Sequence, residues 1–242
     1  MFDDLHLHES RHHSQNGEDG VLARLLALVG ETNRYFVEFG VGTDAQQCNT
    51  RLLANRGWDG LWMDCCDFPN EPRIHRESVT AENINDLFTK YGVPNDFDVL
   101  SIDIDGNDFW VWKAIAPCYR PRVIIAEYNA AIPPHQSLSI AYDPKHRWDR
   151  TDYFGASLLA LAKLAEQRGY TLVYCESTGT NAFFVRNDLT KGWTRSVTEI
   201  YRSPNYAKGL LTPRWLAWLI GFYWPTGIGH RHDPRRRMIE VS

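Results

Sequence analysis

An α/β fold built on one mostly parallel sheet is what this sequence predicts, and three observations carry that expectation. Tyr35 to Phe39 is a short β-branched and aromatic run that empties into Gly40-Val41-Gly42, the pattern of a buried strand entering a tight turn. Further apolar runs, Gly60 to Asp64, Asp96 to Asp103 and Pro121 to Asn129, alternate with helical stretches and end in acids or amides. The last two runs, Tyr170 to Cys175 and Asn181 to Arg186, are joined by only Glu176 to Thr180, which predicts a closing antiparallel hairpin. A chain of 242 residues suits one such domain, with helices on both faces and some length to spare.

Composition narrows the partners. A formal charge of -4 leaves no basic footprint for a nucleic-acid backbone, although Arg235, Arg236 and Arg237 make the tail locally basic. Nine Trp and an aromatic content of 13% suit sugar rings and subunit interfaces equally well. Cys48, Cys65, Cys66, Cys118 and Cys175 are odd in number and contain no C-x-x-C pair, so they are expected as reduced core thiols rather than disulfides or zinc ligands. Residues 1–14 hold no apolar leader, and no apolar run is long enough to span a bilayer; a soluble, cytoplasmic protein is expected.

Taken in order, His6, His8, His12 and His13 read as a solvated, mobile end rather than a metal site. Val21, Leu22, Leu25, Leu28 and Val29 then recur at helical spacing between the polar run Ser14 to Gly20 and the terminating Gly30. After the glycine turn, Ala45 to Asn55 reads as a helix, so strand, turn and helix together would aim free backbone N–H groups at a nucleotide-type cofactor. Gly40-x-Gly42-x-x-Ala45 also satisfies a relaxed dinucleotide fingerprint, with Asp64 placed as a ribose-binding acid. Glu38, two residues before the first glycine, decides between cofactors: it would repel a pyrophosphate and face the ammonium and sulfonium of S-adenosylmethionine.

Val37-Glu38-Phe39-Gly40-Val41-Gly42 resembles motif I of class I S-adenosylmethionine-dependent methyltransferases, whose Rossmann-like sheet closes with a hairpin of the kind expected here. Ser14-Gln15-Asn16-Gly17-Glu18-Asp19-Gly20 is similar to the entry segment of FkbM-like methyltransferases, and Ser78-Val79-Thr80-Ala81-Glu82-Asn83-Ile84 to their adenine-cupping segment. The resemblance implies cofactor contacts from Gln15, Glu38, Gly40, Gly42, Asp64, Ser78, Val79, Thr80 and Asp103, with Asp64 on the ribose hydroxyls. Thr80 with Asn83 also suits a helix cap.

Asp103 and Asp105 project to one side of an extended chain, and Glu127 and Asn129 repeat that spacing on the next strand. Parallel neighbours would gather four oxygen-bearing side chains around one crevice, a set suited to Mg²⁺. Capping of the following helix by Asp105, Asn107 and Asp108 is the structural alternative. The unit from Asp103 to Glu127 resembles both FkbM-like enzymes and metal-dependent sugar O-methyltransferases of the macrocin type. It departs from them at Asp105, where FkbM-like chains commonly have Glu, and at Asp108, near which the macrocin type has its His. The base therefore stays open among His146, Asp108 and Asp105, with His146 and the stacking ring of Trp148 in a proline-rich loop after Asn129.

Gly155 to Gly169 is an amphipathic helix. Residues 1–189 are thus expected to form the methyltransferase domain. Residues 190–242 form an aromatic extension, with Trp215, Leu216, Trp218, Leu219, Ile220, Phe222, Tyr223 and Trp224 serving as a homodimer interface or a lid over the acceptor. The expected activity is Mg-assisted O-methylation of a sugar or oligosaccharide, with methylmannose polysaccharide O-methyltransferases as one neighbour. An NAD-dependent oxidoreductase and a non-catalytic interaction protein on the same fold are the alternatives.

Overall fold

The computed structural model describes residues 1–42, 45–205, 223–224, 227–228 and 236–242. In chain order these form α1 (Glu18–Val29), β1 (Tyr35–Phe39), α2 (Arg51–Asn55), β2 (Asp59–Asp64), β3 (Ile74–Arg76), α3 (Ile84–Lys90), β4 (Val99–Ile102), α4 (Asp108–Ala114) and β5 (Val123–Glu127). There follow β6 (Leu138–Ser139), α5 (Leu158–Gln167), β7 (Tyr170–Cys175), β8 (Asn181–Arg186), α6 (Val197–Ile200), β9 (Tyr223–Trp224), β10 (Gly227–Ile228) and β11 (Ile239–Glu240).

Seven strands make one sheet in the order β3-β2-β1-β4-β5-β8-β7. The first five run parallel, and β8 is antiparallel to both β5 and β7, so the expected hairpin does close the sheet. Strand order reverses between β1 and β4, the place where the carboxyl ends of an open α/β sheet leave a crevice for ligands. Phe39 pairs with Met63 on one side and with Ile102 on the other, which aligns Gly40, Asp64 and Asp103 along one edge.

Side-chain alternation sorts the strands into two buried layers. Val37, Phe39, Leu100, Ile102, Ile124 and Ala126 pack with α3, α4 and α5, through residues such as Phe88, Trp112 and Leu161. Phe36, Trp62, Val99, Val123 and Ile125 pack instead with α1 through Val21, Leu22 and Leu25. Glu38 lies between Val37 and Phe39, so it shares the α1 side with Phe36. That single parity decides what it can touch.

Four expectations need correction. The helix expected over Ala45 to Asn55 is only α2, because Ala45 holds a positive φ of 54° and the chain becomes regular at Arg51. The N-terminus is not a loose end: Phe2 and Leu5 are buried against α1, and the Asp19 carboxylate accepts the backbone N–H groups of His12, His13 and Ser14. Cys65, Cys66 and Cys118 are exposed, and only Cys48 and Cys175 are core thiols. The loop after Asn129 contains β6, which pairs antiparallel with β11, while Val241 donates its N–H to Ser137 and accepts the Ser137 hydroxyl. Of the aromatic patch, Trp215 to Phe222 lie outside the described residues; Tyr223 and Trp224 form β9, paired with β10. Among the described residues no helix is long and apolar enough to cross a membrane.

Candidate functional site

The switch point opens into a cavity of about 500 Å³. Its floor is the glycine turn. A Cβ at Gly40 would stand 1.4 Å from the Asp103 carbonyl oxygen, so β1 and β4 can meet there only through glycine, whose φ is +80°. Gly42 also has a positive φ, and nothing lies within 4 Å of where its Cβ would be. Asp64 holds this turn from β2: its Oδ2 accepts the Gly42 N–H at 3.0 Å and its Oδ1 accepts the Cys66 N–H at 2.8 Å. Gln15, Gly40, Gly42, Asp64, Ser78, Val79, Asp103, Asp105 and His146 all line the cavity.

Glu38 does not line it. The carboxylate is 2% exposed, and it accepts the Asn49 N–H at 2.8 Å, the Thr50 N–H at 2.9 Å and the Thr50 hydroxyl at 2.5 Å. Those amides lead into α2, and Glu38 consumes them. Burial raises its pKa, against the lowering effect of the Thr50 and Asn49 donors. The expectation that Glu38 faces the ligand is therefore corrected: it plugs the amides entering α2 from below. Thr80 is likewise absent from the lining, because its N–H donates to the Asn83 side chain at 2.8 Å as part of the turn before α3.

The acid cluster is partly as the alternation implied. Asp103, Asp105 and Glu127 each offer an oxygen within 4.8 Å of the others. Asp105 reaches the group from a left-handed backbone with φ 55°, a conformation that costs a non-glycine residue energy and recurs at functional sites. Burial raises the pKa of Asp103 and Glu127 well above the ordinary range, and mutual repulsion among Asp103, Asp105 and Asp108 raises them further. Asp105 is raised by burial first and by Asp64 second, while nearby His146 lowers it. Glu127 Oε2 is buried without a hydrogen-bond partner. A crowded set of carboxylate oxygens of this kind, half-buried at Asp103 and Glu127 and open to solvent at Asp105, fits a hard divalent cation.

Asn129 and Asp108 do not belong to that set. Asn129 donates through Nδ2 to the carbonyls of Asp152 and Phe154, at 2.9 and 3.0 Å, and accepts from Ala131 N–H, so it clamps the loop because the chain has left the strand after Glu127. Asp108 places Oδ1 on the Ile104 N–H and Oδ2 on the Gly106 N–H, and burial lifts its pKa to about 6. It ties the turn before α4 and is not free to take a proton from an acceptor. The capping alternative fails as well: Asp108 ties the loop ahead of α4 and Asn107 makes no side-chain cap bond, while Asp105 stays in the cavity.

His146 comes to the acids from the long loop. A Cβ at Gly106 would stand 2.4 Å from its Cδ2 and 2.8 Å from its Nε2, so the imidazole lies directly over that glycine. Its Nε2 is buried with no partner, and burial, followed by the Arg236 charge, lowers its pKa. The neutral imidazole is thus favoured, the form that accepts a proton. Tyr153 lies 6.1 Å from the ring and Arg236 sits over Tyr153 at 4.8 Å, so the C-terminal segment braces the wall that carries His146.

Sequence reasoning missed several wall residues: Cys65, Cys66, Phe68, Glu77, Asn107, Pro144 and Arg147. Cys65 and Cys66 follow a strand-end acid at the carboxyl edge of the sheet, which is a usable signal. Asn107 gives none, since its Nδ2 is committed to the Asp143 carbonyl while its Oδ1 is buried and unpartnered. In comparison with known proteins, no family model and no curated protein matches this chain.

Proposed function

We propose that this chain is an O-methyltransferase that uses S-adenosylmethionine and methylates a hydroxyl of a sugar or oligosaccharide with the help of Mg²⁺. The observation that carries the reading is the charge of the cavity together with the plugged amides ahead of α2. Asp64, Asp103 and Asp105 line it, with Glu77 already ion-paired to Lys90, against the Arg147 guanidinium and a His146 biased to the neutral form. A dinucleotide pyrophosphate needs free amides at a helix start, and here Glu38 takes up the two that lead into α2, those of Asn49 and Thr50. A ligand with a sulfonium and an ammonium gains from such a cavity, whereas a pyrophosphate is repelled.

In this reading the Gly40 to Gly42 turn admits the ligand close to the backbone, Asp64 accepts ribose hydroxyls, and Ser78 and Val79 wall the adenine. S-adenosylmethionine supplies an electrophilic methyl group. Asp103, Asp105 and Glu127 would hold Mg²⁺, which lowers the pKa of a coordinated hydroxyl. His146 takes the acceptor proton at Nε2, and the exposed edge of Trp148 offers a face for a pyranose ring. The remaining work is positioning, since transfer of methyl to oxygen is an in-line displacement.

Calorimetric titration with S-adenosylhomocysteine tests this, with and without Mg²⁺ and with NADH as control. Binding of S-adenosylhomocysteine that Asp64→Ala weakens, with no NADH binding, is the expected outcome. Binding of NADH, or of neither, sinks the reading and returns the fold to an oxidoreductase or a non-catalytic role.

A further inference from the structure

The edge of β2 carries a second group of cation-binding atoms, chemically unlike the oxygen trio. Asp64, Cys65 and Cys66 are consecutive, and each offers a ligand atom within 4.8 Å of the other two. The two sulfurs stand 3.9 Å apart, and both thiols are exposed and reduced. The Asp64 carboxylate closes the turn that brings them together, through the 2.8 Å bond from the Cys66 N–H. Two thiolates bound to one tetrahedral zinc at about 2.3 Å each lie roughly 3.8 Å apart, so the spacing already fits a shared metal. All three residues line the cavity.

We propose that Asp64, Cys65 and Cys66 form a site for a thiophilic divalent cation of the zinc class, with its fourth position open toward the cavity. Binding breaks two S–H bonds and forms two sulfur–metal bonds; the protons go to solvent, and no oxidant or reductant is needed. Sulfur donors separate this site from Asp103, Asp105 and Glu127, whose all-oxygen set suits Mg²⁺. The two sites sort cations by softness. Asp64 also holds the Gly42 N–H, so a cation on the thiols shares a ligand with the glycine turn and sits at the cavity wall.

Cd²⁺ is the probe, because thiolate-to-cadmium charge transfer absorbs in the ultraviolet and carboxylate ligation does not. The full, reduced chain is titrated with Cd²⁺ in excess Mg²⁺, which occupies hard oxygen sites. One equivalent should develop the band in the wild type and in Cys118→Ser, which removes the other exposed thiol. Either Cys65→Ser or Cys66→Ser should weaken binding by about tenfold or more, and Asp64→Asn should weaken it while keeping the band. The double variant C65S/C66S should lose the band, and its unchanged circular dichroism would show that it still folds. A band that persists in the folded double variant, or none in the wild type, overturns the proposal. Neither result depends on which cofactor fills the cavity.

Discussion

Glu38→Gln separates the two roles open to this residue. Three N–H or O–H groups donate to the carboxylate, Asn49 N–H to Oε1 and Thr50 N–H and the Thr50 hydroxyl to Oε2, with the Cys48 thiol as a further contact. A glutamine of the same shape must place its NH₂ at one of those two positions. At Oε1 it opposes the Asn49 amide; at Oε2 it opposes the Thr50 amide. The Thr50 hydroxyl can turn, since it also accepts the Trp62 indole N–H at 2.8 Å, but a backbone amide cannot. One buried N–H is therefore orphaned in either orientation, which costs about 1–3 kcal/mol. For a domain of this size each kcal/mol lowers Tm by about 2–4 °C.

Urea denaturation of wild type and E38Q with a common m value measures this directly. The expected result is a lower midpoint with ligand affinity retained in the folded fraction. An unchanged midpoint with lost S-adenosylhomocysteine binding would refute the argument, because it would place the carboxylate on the ligand instead of on the amides entering α2.

Gly40→Ala should be among the most damaging single changes, costing about 4 kcal/mol or more, since its Cβ meets the backbone of Asp103 at 1.4 Å and the residue sits at φ +80°; thermal unfolding or loss of soluble protein reads it. Asn129→Asp turns a carboxylate toward the carbonyls of Asp152 and Phe154 and should destabilise by roughly 2–4 kcal/mol while Mg²⁺ affinity, followed by calorimetry, is unchanged. Loss of Mg²⁺ binding at full stability would return Asn129 to the metal set. Truncation after residue 235 removes β11, the Val241 anchor and the Arg236 pair with Asp149, so limited proteolysis should cut between Leu138 and Thr151 faster than in the full chain. Equal cleavage rates would mean that the loop holds itself.

The pH profile of stability follows from the buried acids. Asp103, Asp108 and Glu127 titrate higher in the folded chain than in the unfolded chain, Asp108 at about 6 against an ordinary 3.8 and the other two well above their ordinary values. The folded state therefore holds protons that the unfolded state has released. Their contribution is complete below the unfolded pKa and is lost as pH rises through the folded one, for Asp108 between 3.8 and about 6 and for Asp103 and Glu127 on passing through pKa values well above their ordinary ones. Without divalent cations the chain should be more stable near pH 5 than near pH 8, and Mg²⁺ should raise Tm more at pH 8. An equal Mg²⁺ shift at both pH values would mean that the cation does not sit on these carboxylates.

What the sequence made legible follows from which signals are local. Strand periodicity located β1, β4 and β5, and the same period of two put Asp103 and Glu127 side by side, because Ile102 pairs with Ala126 and the next residues fall opposite each other. The period fails one step later. Asn129 lies beyond the end of β5, where alternation no longer sets direction, and the backbone carbonyls of a loop more than twenty residues away claim its amide. Glu38 shows the converse: its parity was readable, yet the identity of what lies on that side depends on how α2 docks, which no local pattern encodes. His146 belongs to neither case. It reaches the acids because Gly106 leaves room for its ring and because residues 236–241 fold back on the loop from the far end of the chain. A site assembled this way has strand-end groups that local rules find and loop groups that only tertiary contacts fix. If the proposed methyl transfer holds, substitutions in residues 236–241 should accordingly change turnover through His146 while leaving the cavity floor of Gly40, Gly42 and Asp64 intact, a separation measurable as a changed turnover at unchanged S-adenosylhomocysteine affinity.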